Sequence, residues 1–70
     1  MSSINIKLGI RLRQLRKRSS MTQEEVAERA GISEKHLQRL ESNKPCDIRL
    51  ATLNQIAKAF KISVTDLLKL

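Results

Sequence analysis

The chain has 70 residues, 40% of them apolar, with one Phe, one Pro, two Gly, one Cys, no Trp or Tyr, and a net charge of +7. That length supports one domain, residues 1–70, burying roughly 60% of its unfolded surface; so few Pro and Gly argue against an all-β fold, and Cys46 has no second cysteine to pair with. No apolar run approaches the roughly 18 residues of a membrane span, no signal-peptide core opens the chain, and one Cys with one His makes no zinc site, so a reducing cytoplasm and a polyanionic partner are expected, without metal or cofactor.

The first predicted element is basic. Residues 1–20 hold Lys7, Arg11, Arg13, Arg16, Lys17 and Arg18 and no acid. Leu8, Leu12 and Leu15 recur at i, i+4 and i+7, one apolar stripe of a helix running from Ile4 to Arg18. Gly9 inside it costs about 1 kcal/mol against Ala. Ser19-Ser20-Met21 breaks the pattern. Thr22-Gln23-Glu24-Glu25 is then a capping box, with Thr22 accepting from the N–H of Glu25 and Glu25 reaching back to that of Thr22. Glu24 and Glu25 also suit the positive end of the helix dipole. Val26, Ala27 and Ala30 give this second helix its inner face, and Gly31 supplies the left-handed residue that ends it.

Ser33 caps a third helix, over about 33–41, whose Leu37 and Leu40 point inward. SNKPCDIR reads as a loop, because proline and Asx residues set turns. Leu50, Leu53, Ile56, Ala57 and Phe60 restore the helical period for a fourth helix. Ser63 caps a short fifth, with Asp66 as a weaker capping-box partner and Val64, Leu67, Leu68 and Leu70 as its apolar residues. The expected fold is all-α: five short helices around one core.

Helices two and three are joined by a turn of about three residues containing glycine, which is the helix-turn-helix arrangement. With Leu37 and Leu40 inward, a 100° step per residue puts Lys35, Arg39 and Ser42 on the opposite side, flanked by Glu34, His36 and Gln38. Such helices present their N-terminal end to base edges in the major groove of DNA.

TQEEVAERAGISEKHLQRLES resembles the Cro/lambda-repressor-like helix-turn-helix proteins of phages and bacteria. LGIRLRQLRK is similar to that family's first helix, and LATLNQIAKAFKISVTDLL to its fourth and fifth. The resemblance implies a compact five-helix DNA-binding domain. It places Glu34, Lys35, His36 and Arg39 where the family reads bases, and Gln23 where a side chain anchors to phosphate. Asn43 and Lys44 fall in the phosphate-touching loop, with Gln38 and Ser42 as further phosphate candidates, and Arg16 with Glu41 matches an internal ion pair. Three features depart from the pattern: Asn43 and Lys61 stand where glycine is usual, and the loop before Leu50 is about one residue longer.

Each candidate keeps a plainer reading. Arg39 can bond guanine in bidentate fashion, touch phosphate or stay solvated. Lys35 is similar but a point charge. Glu34 can accept from cytosine or simply stabilise the helix start, and His36 can pack beside Leu40. Arg11, Arg13, Lys17 and Arg18 are phosphate contacts or a solvated face, and Cys46 is read as inert. Ile10, Ile48 and Leu70 fall off the core stripes and, with Leu68, suit a two-fold contact.

The expected function is a sequence-specific regulator of transcription, bacterial or phage-encoded, binding double-stranded DNA as a homodimer on a two-fold operator. An RNA polymerase or regulatory protein is a possible further partner, through Glu24, Glu25 and Glu28. The alternative is a protein-interaction module or antitoxin of the same fold. Non-specific packaging would show steep salt dependence without sequence preference. Nothing resembles a catalytic motif, so no enzyme is expected.

Overall fold

The computed structural model describes residues 3–42 and 47–69. Among them are five helices and no strand: α1 (Ser3–Arg18), α2 (Gln23–Ala30), α3 (Glu34–Leu40), α4 (Leu50–Ala59) and α5 (Val64–Leu67). Asn43, Lys44, Cys46 and Leu70 lie outside the described residues, and so do the roles expected of them.

The apolar stripes meet as the periodicity requires. Leu8 and Leu12 of α1 pack with Ala30, Leu40, Leu53, Ile56, Ala57, Ala59 and Leu67. Val26, Ala27 and Leu37 form a smaller cluster between α2 and α3, and Ile32 and Phe60 pack against both groups. Two expectations are corrected. Leu50, assigned to the inner stripe of α4, is 73% exposed, because it is the first residue of that helix, ahead of the packed side that begins at Leu53. Ile48, assigned to the surface, packs against the core just before that helix begins.

Local chemistry sets the helix starts. Both bonds of the capping box are present at α2: the Glu25 N–H donates to Thr22 Oγ1 and the Thr22 N–H to Glu25 Oε1, each at 3.1 Å. Ser33 Oγ accepts from His36 N–H, and Ser63 Oγ from Asp66 N–H, each at 3.0 Å. The Asp66 carboxylate also meets Lys69 Nζ at 3.1 Å. Lys69 first, then Ser63, holds that carboxyl below its ordinary value. Whatever stability the contact supplies is therefore full at neutral pH and lost only as pH falls through the lowered pKa.

One C-terminal device recurs three times. The N–H of Ser20 bonds Lys17 O and that of Met21 bonds Arg16 O; Gly31 and Ile32 pair likewise with Glu28 and Ala27, and Lys61 and Ile62 with Lys58 and Ala57. These are Schellman closures with a left-handed residue at the centre. Only one is glycine: Gly31 has φ 72°, Ser20 54° and Lys61 59°. A side chain in this region costs roughly 1–2 kcal/mol, partly offset by glycine's larger unfolded-state entropy. Lys61→Gly is therefore expected to stabilise the fold by about 1 kcal/mol, visible as a higher denaturant midpoint with an unchanged m value.

Candidate nucleic-acid interface

The helix α3 is held at both ends and along one side. Ser33 caps its start, and Leu37 and Leu40 are buried. Glu34, Lys35, Gln38 and Arg39 are exposed on the other side, and His36 is half-buried between the two. Ser33, Lys35, His36, Gln38 and Arg39 line one shallow open groove.

The expected site residues do not stand equally free. Gln38 Nε2 donates to Glu34 Oε2 at 3.3 Å, one helical turn back, so the carboxylate and the amide partly satisfy each other. The hydroxyl of Ser42 donates to the Arg39 carbonyl at 2.7 Å. The charged heads of Lys35 and Arg39 make no ion pair among the described residues. They are exposed cations one turn apart, spaced so that both address one side of the helix.

Behind this face is a polar anchor. Arg16 Nε donates to Glu41 Oε2 at 3.0 Å and Arg16 Nη2 to Glu41 Oε1 at 3.1 Å, a bidentate pair with side chains 16% and 5% exposed. A third Arg16 nitrogen, Nη1, reaches the Met21 carbonyl at 3.4 Å. Gln23 Nε2 donates to Glu41 Oε1 at 3.3 Å. One carboxylate thereby joins the end of α1, the start of α2 and the residue following α3. Gln23, expected at a phosphate, stands at the start of α2 with its amide nitrogen turned to Glu41. Glu24 and Glu25 in the same turn oppose an anion there, offsetting part of the dipole's attraction.

Gly9 explains how α1 reaches α3. A Cβ built on Gly9 would collide with the carbonyl oxygen of Leu40, the last residue of α3. The two helices meet backbone to backbone at that point.

Two polar ties carried no sequence signal. Asn5 Nδ2 donates to Asp47 Oδ1 at 2.9 Å, fastening the start of α1 to the segment before α4. Arg11 Nη2 and Nε donate to the Asp66 and Leu67 carbonyls at 3.0 and 3.4 Å. Arg11 is therefore a clamp on the end of α5, a role outside the two readings its sequence position suggested. Among the described residues no group of three or more His, Cys, Asp or Glu is placed to hold a metal, and no helix is long and apolar enough to cross a membrane.

A family model described as the Cro/C1-type HTH DNA-binding domain matches residues 11–70. No curated protein gives a significant match. Among solved structures, one similar chain is the restriction-modification controller protein C.AhdI from Aeromonas hydrophila. It superposes with a TM-score of 0.88 at 26% sequence identity, covering 94% of this chain and 98% of that one.

Proposed function

The chain belongs to the Cro/C1-type helix-turn-helix DNA-binding family, and from that premise we propose that it regulates transcription by reading one specific duplex sequence with α3. The observation that carries this reading is the pair Lys35 and Arg39. Both are exposed on the outer side of a short helix whose other side is buried, and neither is neutralised by a described acid. A core-driven fold has no need of cations there.

In this reading Arg39 bonds a guanine edge and Lys35 adds a second, less directional contact. His36 and the Glu34–Gln38 pair frame them. Gln23, through the amide hydrogen not given to Glu41, and Ser42 meet the DNA backbone, and Asn43 and Lys44 are assigned the same role. One recognition helix covers only a few base pairs, so specific binding calls for a homodimer with half-sites about 34 Å apart. Leu68 and Leu50, 42% and 73% exposed, are the apolar residues we assign to the two-fold contact; Ile10, expected with them, lines a groove on α1 beside Arg13 and Lys17 instead. The likeness to a controller protein supports a regulatory role. Glu24, Glu25 and Glu28, exposed on α2, offer a polymerase or regulatory partner an acidic surface, although Glu25 already serves the capping box. Residues 1–70 act as one DNA-binding domain without catalysis, in the cytoplasm of a bacterial or phage-infected cell.

Arg39→Ala tests the assignment. It is expected to weaken binding to the preferred duplex by about 5- to 150-fold for each half-site, the equivalent of 1–3 kcal/mol per contact, and to relax preference at one base pair in each half-site. Because Arg39 is exposed, the melting temperature stays within the range of surface changes. An equal loss on every duplex sequence would make Arg39 a phosphate contact instead.

A further inference from the structure

A second groove runs along α1. Ile6, Ile10, Arg13, Gln14 and Lys17 line it together with Glu41 and Ser42, the two residues that follow α3. It thus continues from the C-terminal end of the recognition helix onto the most basic part of the chain. Arg13 and Lys17 are exposed and one turn apart, and no described residue bonds either side chain. Like charges at this spacing repel, so the fold gains nothing from placing them there. The one acid in the groove, Glu41, has both oxygens committed to Arg16. The groove therefore presents uncompensated positive charge that reaches the residues following the recognition helix.

We propose that Arg13 and Lys17 bind the DNA sugar-phosphate backbone, so that α1 forms an electrostatic arm of the interface beyond the helix-turn-helix. Resting on the DNA-binding reading, this assigns two of its phosphate contacts. The four bases left open by the sequence are now sorted. Arg11 is spent on α5, Arg13 and Lys17 share the groove that reaches Ser42, and Arg18 lies outside it. A duplex carries one negative charge per roughly 1.7 Å of axis, and each neutralised phosphate releases counterion, contributing about 0.9 to the slope of log K against log salt. The contact is blind to sequence: it adds affinity and register, and leaves base preference to α3.

The experiment compares the full chain with the double variant Arg13→Ala/Lys17→Ala on a preferred and a scrambled duplex, across a salt series. The slope is expected to fall by about 2 for each bound protomer, and so by about 4 for a homodimer, with affinity tens-fold lower per protomer near 0.1 M salt on both duplexes and little different near 1 M. The charge-preserving pair Arg13→Lys/Lys17→Arg is expected to keep the original slope. Ethylation interference on the preferred duplex is expected to lose specific phosphates from the footprint in the alanine variant. An unchanged slope and footprint would overturn the proposal while leaving the DNA-binding reading intact, as would a loss restricted to the preferred duplex. Failure of the unaltered chain to bind any duplex would overturn that reading itself. Circular dichroism of both variants shows whether the fold is kept.

Discussion

Glu41→Ala is expected to lower the unfolding free energy by about 3 kcal/mol, since removing one partner of a buried ion pair strands the other. The residual 16% exposure of Arg16 keeps the cost toward the lower end of the known range. A chain of this length has a total stability of roughly 4–10 kcal/mol, so the loss is a large share of it. The consequence is positional as well. Without the carboxylate, Arg16 and Gln23 lose the acceptor that joins the end of α1 to the start of α2. The DNA affinity of Glu41→Ala should therefore fall even at temperatures where the variant is folded. Arg16→Met combined with Glu41→Leu removes both charges, and most of the lost stability is expected to return, because a paired replacement leaves no stranded charge. Chemical denaturation of the three proteins measures this. Equal stability of Glu41→Ala and the original chain would show that the pair contributes nothing.

Gly9→Ala is the second large effect, and its sign runs against helix propensity. Ala in a helix interior is better than Gly by about 1 kcal/mol, which considered alone would stabilise α1. The new Cβ, however, meets the Leu40 carbonyl, which is backbone and cannot rotate aside. Overpacking a tight contact costs typically about 1–3 kcal/mol, and a contact with backbone belongs at the upper end. The net expectation is destabilisation by about 2 kcal/mol. Because the displaced carbonyl ends α3, DNA binding should weaken alongside stability. A higher denaturant midpoint for Gly9→Ala would show that propensity wins and that α1 and α3 have room to part.

The elements most legible in the sequence were those set by neighbours along the chain. Thr22 with Glu25, Ser33, and Gly31 announce their caps because each acts within three or four residues. The pairs Leu8/Leu12 and Leu37/Leu40 are recognisable because helical phase alone puts them on one side. That same phase identified the exposed side of α3. What phase cannot say is where a core ends. Leu50 has the right spacing and sits beyond the packed region, while Ile48, outside any helix, fills it. The left-handed closure at Ser20 was hidden because serine does not favour that conformation, whereas the one at Lys61 was marked only by the resemblance, at a position where glycine is usual. Arg11 and Asn5 were hidden for another reason: their partners are 55 and 42 residues away, and only the packed chain brings them together. Within the candidate site, the Glu34–Gln38 bond changes which groups are free to meet DNA, and it depends on side-chain geometry that composition does not specify.

If α3 reads a specific duplex sequence in pairs, the bound DNA carries the record. Selection from a random duplex library at about 0.15 M salt, where non-specific binding is weak, tests that reading most directly. Enrichment of a two-fold symmetric motif whose half-sites lie about one helical turn apart is expected. Lys35→Ala/Arg39→Ala should lose that enrichment while still binding duplexes at low salt. A bound pool that stays random for the unaltered chain would contradict that reading.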